Sequence, residues 1–121
     1  MRRTALAIFA HPDDIEYFGA GTLILLKQAG FETHYFNLST GNCGSVEMSA
    51  EETRRVRLAE AQSAASILGA HFHHPICDDL EIFYDLPTLR LVAGVVRKVK
   101  PSIILTHPPH DYMEDLSLIH I

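Results

Sequence analysis

Thr4-Ala5-Leu6-Ala7-Ile8-Phe9-Ala10-His11-Pro12-Asp13-Asp14-Ile15-Glu16 is the stretch that decides the fold. Its opening apolar run, Thr4 to Phe9, has the length and composition of a short buried strand. From about Tyr17 to Ala29 the pattern turns helical, so one imidazole and two adjacent carboxylates fall in the turn between a strand and a helix. In open α/β sheets, ligands bind at that edge, beyond the carboxyl ends of the strands. Pro12 stiffens the turn and biases His11 toward an extended backbone. A borderline cation such as zinc accepts imidazole nitrogen and carboxylate oxygen, and its catalytic centres use three protein ligands plus water. Two neighbouring carboxylates also repel, which a bound cation relieves. The competing reading is an aspartate capping the helix and favoured by its dipole. That accounts for one aspartate and leaves His11, the second carboxylate and Glu16 unexplained.

Outward from this stretch, strands and helices alternate. Gly19 and Gly21 lower helix propensity and permit close approach to the sheet or to the site. A phosphate-binding loop would need Gly-x-Gly-x-x-Gly or a Lys-Ser/Thr pair, and the sequence has neither there. Gly30 ends the helix, and Thr33 to Leu38 reads as the second strand. The loop Ser39 to Ser45 offers glycines and hydroxyls, which suit a sugar or amide pocket and equally suit plain turns. Ser49 and Glu52 form a capping box for a long helix through about Leu68, with Gly69 beyond it. Arg54, Arg55 and Arg57 lie near its start, where cations oppose the dipole. They pair with Glu51, Glu52 or Glu60, or they serve the site.

His71 to Ile76 reads as a third strand, with Pro75 marking an edge or an end. His73 and His74 are adjacent, so on a strand they face opposite sides and cannot easily hold one ion together. Asp78 and Asp79 follow in a loop, Leu86-Pro87-Thr88 opens a helix to about Lys100, and Pro101 to Thr106 is a fourth buried strand. The fold class expected is α/β, a Rossmann-like three-layer sandwich with a mostly parallel sheet and right-handed crossovers, incomplete at the C-terminus.

With 121 residues, 47% hydrophobic and 21% charged, one domain is expected. A formal charge of −5 gives no electrostatic reason for a nucleic-acid or anionic-membrane partner. No apolar run approaches the roughly 20 residues of a membrane span. The first ten residues imitate a signal peptide, but the apolar run stops at His11 and that reading is rejected. Cys43 and Cys77 form neither a close metal pair nor a disulfide framework, which suits a reduced, cytoplasmic setting. Of eight histidines, His71, His73, His74, His107 and His110 fall near strand ends or loops, a placement that suits metal binding or proton transfer.

The run Ala10 to Glu16, Ala-His-Pro-Asp-Asp-x-Glu, resembles the signature of the LmbE-like, or PIG-L, family of zinc-dependent N-deacetylases, and the resemblance extends from about residue 4 to 115. It implies Zn2+ held by His11 and Asp14, with Asp13 as the general base that activates water. It further implies Arg57 as a substrate contact, Asp78 as a residue orienting substrate, and Tyr112, with a nearby histidine, as an aid to the oxyanion. The family's third ligand is a histidine ending the loop after the fourth strand; here Met113-Glu114-Asp115 runs into Leu116, which cannot coordinate zinc. The expected division is a deacetylase domain over 1–115 and a tail over 116–121 of truncated or foreign character, with His120 untethered. The implied activity is removal of an acetyl group from an N-acetylated, GlcNAc-type amino sugar, weakened by the lost ligand. The alternative is a catalytically dead α/β module holding a sugar or nucleotide. Partners on the first reading are a small-molecule amino sugar and, as an open option, a second copy of the chain.

Overall fold

The computed structural model describes residues 2–110. Tyr112, Leu116 and His120 therefore lie outside the described residues. The elements in order are strand β1 (Thr4–Phe9), a π-helical turn (Ile15–Gly19), helix α1 (Ala20–Gln28), β2 (Glu32–Asn37), α2 (Ala50–Leu68), β3 (His71–His73), α3 (Leu86–Val99) and β4 (Ile103–Leu105). The sheet order is β3-β2-β1-β4, and every pairing is parallel. The α/β architecture with a parallel sheet is the one the alternation of elements leads one to expect.

β1 is buried along its whole length because both its faces are covered. Side chains alternate along a strand, so Leu6 and Ile8 join Phe36, Leu38 and Val92 of α3 in one core. Ala7 and Phe9 join Tyr35, Leu23 of α1, and Ala61 and Ala65 of α2 in the other. A helix layer thus lies on each side of the sheet. No helix among the described residues is long and apolar enough to cross a membrane.

Helix ends follow their local chemistry. Ser49 Oγ accepts from the Glu52 N–H at 3.2 Å, and Asp85 Oδ1 accepts from the Thr88 N–H at 2.9 Å at the start of α3, where Pro87 needs no partner. Gly69 closes α2 at φ 66°, and Lys27 Nζ donates to its carbonyl at 2.6 Å. Two boundaries differ from expectation. The helix expected from Tyr17 begins earlier, as a π turn, and becomes α-helical only at Ala20. β3 stops at His73 rather than Ile76, because Pro75 has no N–H to continue the ladder. The Ile76 and Cys77 N–H groups instead converge on the Leu38 carbonyl, at 2.8 and 3.1 Å.

At the amino ends of β2 and β3, four polar side chains share one face: Glu32, His34, His71 and His73. Burial is the main reason the His34 and His73 rings sit below the ordinary imidazole range, His73 at about 4. Both are therefore neutral near pH 7.

Candidate active site at the carboxyl edge

β1 and β2 stay paired past their ends, with the Leu38 N–H donating to Phe9 O and the Ser39 N–H to Ala10 O, both at 2.9 Å. This delivers the turn after β1 and the loop after β2 to one edge. Asp13 turns the chain at φ 81°, in the left-handed region that aspartate enters more readily than most residues. Its carbonyl accepts the Tyr17 N–H at 2.9 Å. Its carboxylate, 65% exposed, meets Arg57 Nη2 at 2.9 Å, and the same nitrogen donates to the Pro12 carbonyl at 2.8 Å. Gly41 (φ 75°) passes so close that an added Cβ would stand 3.0 Å from Pro12 Cδ.

Asp14 points the other way, into the protein. Its Oδ2 accepts the His11 N–H at 2.9 Å and lies 3.5 Å from His11 Nδ1 and 3.4 Å from His107 Nε2. Burial alone would favour the protonated acid. The contacts with His107 and His11 outweigh it and hold the carboxyl well below the usual carboxylate range. His107 is itself buried, accepts the Ala10 N–H on Nε2 at 3.1 Å, and packs edge-on against Phe9.

On the far side of His11, Asp79 Oδ1 lies 3.7 Å from Nε2. Asp79 is fixed by the Ser39 hydroxyl (2.7 Å) and the Cys43 N–H (3.0 Å), while its own N–H donates to Asn42 Oδ1 at 3.0 Å. Asp78 is engaged elsewhere: Arg54 clamps both its oxygens, at 3.1 and 2.8 Å, and Thr40 Oγ1 donates at 2.7 Å. Those bonds lower its pKa. The arginines at the start of α2 thus do both things the sequence allowed. Arg54 and Arg57 pair with Glu51 and Glu60 on their own helix, and they also reach across to Asp78 and Asp13.

These groups border a cleft of about 410 Å³ lined by His11, Asp13, Asp14, Arg57 and Asp79. Zinc–ligand bonds of about 2.0–2.1 Å at tetrahedral angles separate neighbouring donors by about 3.3 Å. The 3.5 Å between His11 Nδ1 and the ionised Asp14 Oδ2 is close to that spacing, so this pair fits a divalent cation. His107 Nε2 is committed to the Ala10 N–H at 3.1 Å, so in this arrangement it is not offered as a third metal donor.

The structure therefore gathers His11, Asp13, Asp14 and Arg57 at one cleft, and sets Asp78 beside it in the grip of Arg54. Asp79 was not singled out as a site residue from sequence, and Ser39 and Asn42 entered only as part of a loop whose hydroxyls suit a pocket or plain turns; here they fix Asp79. Glu16, the last residue of the motif, accepts the Tyr35 hydroxyl at 2.5 Å and anchors the π turn to β2. Burial, then Glu16, raises the Tyr35 pKa.

Fold and edge together define a parallel α/β domain with an imidazole–carboxylate centre at the carboxyl ends of its strands. The chain belongs to the PIG-L family, whose GlcNAc-PI de-N-acetylase model matches residues 6–120. It is 30% identical over 127 residues to a 4-oxalmesaconate hydratase of Pseudomonas putida, covering 97% of this chain and 49% of that protein. It is 32% identical over 110 residues to the diacetylchitobiose deacetylase of Thermococcus kodakarensis, covering 88% of this chain and 41% of that one. Among solved structures, the 4-carboxy-2-hydroxymuconate hydratase GalB of Pseudomonas putida superposes with a TM-score of 0.88 at 31% identity, over 98% of this chain and 52% of that one. The N,N'-diacetylchitobiose deacetylase of Pyrococcus horikoshii gives 0.87 at 24% identity, over 97% and 46%, a likeness of fold alone. The chain spans about half the length of these relatives or less.

Proposed function

We propose that the chain carries the catalytic edge of a zinc-dependent hydrolase that removes the acetyl group from an N-acetylated amino sugar. One observation carries the reading: Arg57 holds the Asp13 carboxylate at the cleft, beside a His11–Asp14 pair in which the acid is kept ionised despite burial. His11 and Asp14 would hold the metal, which when bound polarises the acetamide carbonyl and acidifies water. Asp13 takes the proton of the attacking water at its carboxylate oxygen. Arg57 fixes the base and borders the space a sugar would fill, and Asp78 with Arg54 stiffens the neighbouring loop. Tyr112 is the proposed donor to the oxyanion. Cys43 and Cys77, present as thiols, suit a reduced, cytoplasmic setting.

A second reading is supported by the Pseudomonas hydratase relative, aligned over 97% of this chain. The same base would then deliver water to the double bond of an unsaturated carboxylic acid. The third, from the Leu116 departure, is a module that binds sugar without turnover. Zinc-loaded chain is to be assayed for acetate release from N-acetylglucosamine conjugates and for hydration of unsaturated dicarboxylates. Asp13→Asn is expected to lower acetate release by about 10²- to 10⁴-fold, the usual worth of a general base. Hydration without acetate release would install the second reading. Sugar binding with neither reaction would install the third.

A further inference from the structure

The second concentration of metal-binding groups lies at the opposite end of the sheet. One ligand atom from each of Glu32, His34 and His71 lies within 4.8 Å of the others, and among the described residues this is the only such triad. We propose that Glu32, His34 and His71 form a structural divalent-metal site that clamps the amino end of β3 to β2.

Strand periodicity and register build the triad. Residues two apart on a strand share a face, which aligns Glu32 with His34, and His71 with His73. Parallel pairing then sets His34 directly opposite His71. Glu32 Oε1 is 2.9 Å from His34 Nε2 and 3.6 Å from His71 Nε2, distances that bracket the donor spacing of about 3.3 Å around tetrahedral zinc. Arg2 approaches the other carboxylate oxygen, at 3.6 Å, and leaves Oε1 for the ion.

A ligating histidine needs its second ring nitrogen held, so that tautomer and orientation are fixed. His34 Nδ1 is 2.8 Å from His73 Nε2, which can accept its N–H once Nε2 turns to a metal. His73 is therefore a positioning residue. The His34 side chain is 11% exposed and His71 63%, so the inner ligand is preformed and the outer one is open to arriving ions. The strand that would be clamped is three residues long and has the most to gain from a cross-link. Lys98, whose charge is felt by both His34 and His73, opposes a dication here and sets a limit on affinity. At about 3.3 Å per residue, the length of β2 separates this cluster from the carboxyl edge by roughly 16 Å. The two sites are thus independent, and so are their tests.

The full chain carrying Asp14→Asn, which removes a donor from the carboxyl edge, is titrated with Zn2+ and followed by calorimetry and thermal melting. One equivalent should still bind and raise Tm, and His71→Ala in the same background should abolish both effects. His73→Gln should weaken binding about 10- to 100-fold without removing it, as the loss of an orienting partner does. In wild-type protein, substoichiometric Cu2+ should broaden the ring-proton resonances of His34 and His71, which needs no variant to fold. Zinc binding that survives His71→Ala, or broadening confined to His11 and His107, overturns the proposal.

Discussion

Asp13 and Gly41 show how backbone conformation and chemistry meet in single residues. Both have positive φ, and they face each other across Pro12. Glycine adopts that conformation freely, whereas an L side chain in it costs about 1–2 kcal/mol. Gly41→Ala adds a contact with Pro12 to this cost and is expected to lower unfolding free energy by at least about 1 kcal/mol in urea titration. It should also loosen the Arg57 bridge to Pro12 and Asp13. Asparagine tolerates the left-handed region, so Asp13→Asn isolates the loss of the base. The residues of the motif and Arg57 were legible by type and position, but the Asp13–Arg57 bridge and the positive φ of Asp13 and Gly41 were not. Nor was Asp79: Asp78 and Asp79 look alike in sequence, and the Arg54 clamp on one with the Ser39 and Cys43 donors on the other decide which of them faces His11.

At the scale of elements, the caps give two predictions. Ser49→Ala removes an N-cap acceptor and should cost about 1 kcal/mol, read as a lower urea midpoint with unchanged slope. Asp85 has its pKa lowered chiefly by the backbone N–H of Thr88. A carboxylate depressed on folding contributes stability above its unfolded pKa, and that contribution is lost as pH falls through the folded value. Asp85→Asn keeps a competent cap, so wild type and variant should match near neutrality in pH-dependent melts. The wild type alone should then lose the contribution of this cap in the acid limb. Strands and helices were legible from apolar periodicity and glycine or proline stops. The π turn was not, since five residues of wider helix leave no distinct pattern. The histidine cluster escaped because attention to the neighbours His73 and His74 misses ligands two apart on one strand that meet others across the ladder.

At the scale of the molecule, β4 pairs with β1 and stands at one end of the strand order among the described residues. Ile104 is 45% exposed there, and Leu91 of α3 is 52% exposed. Parallel sheets are normally covered on both faces, and open apolar edges recruit partners. The chain is expected to self-associate as its concentration rises, measured by sedimentation velocity, with Ile104→Lys shifting the distribution toward monomer. An association unchanged by that substitution would place the contact elsewhere. The parallel direction of the strands was legible from the alternation of elements, whereas their order, and which apolar residues stay exposed against α3, could not be read.

The π turn between the motif and α1 has a consequence for sequence length. It spends one more residue per turn than an α-helix would. Deleting one residue among Glu16, Tyr17 and Phe18 would let the segment relax into regular helix while α1 keeps its packing. Five residues of π-helix turn through about as much as four of α-helix, so the motif would keep its orientation relative to α1. A single in-frame codon loss at the exposed Tyr17 is then expected to be tolerated.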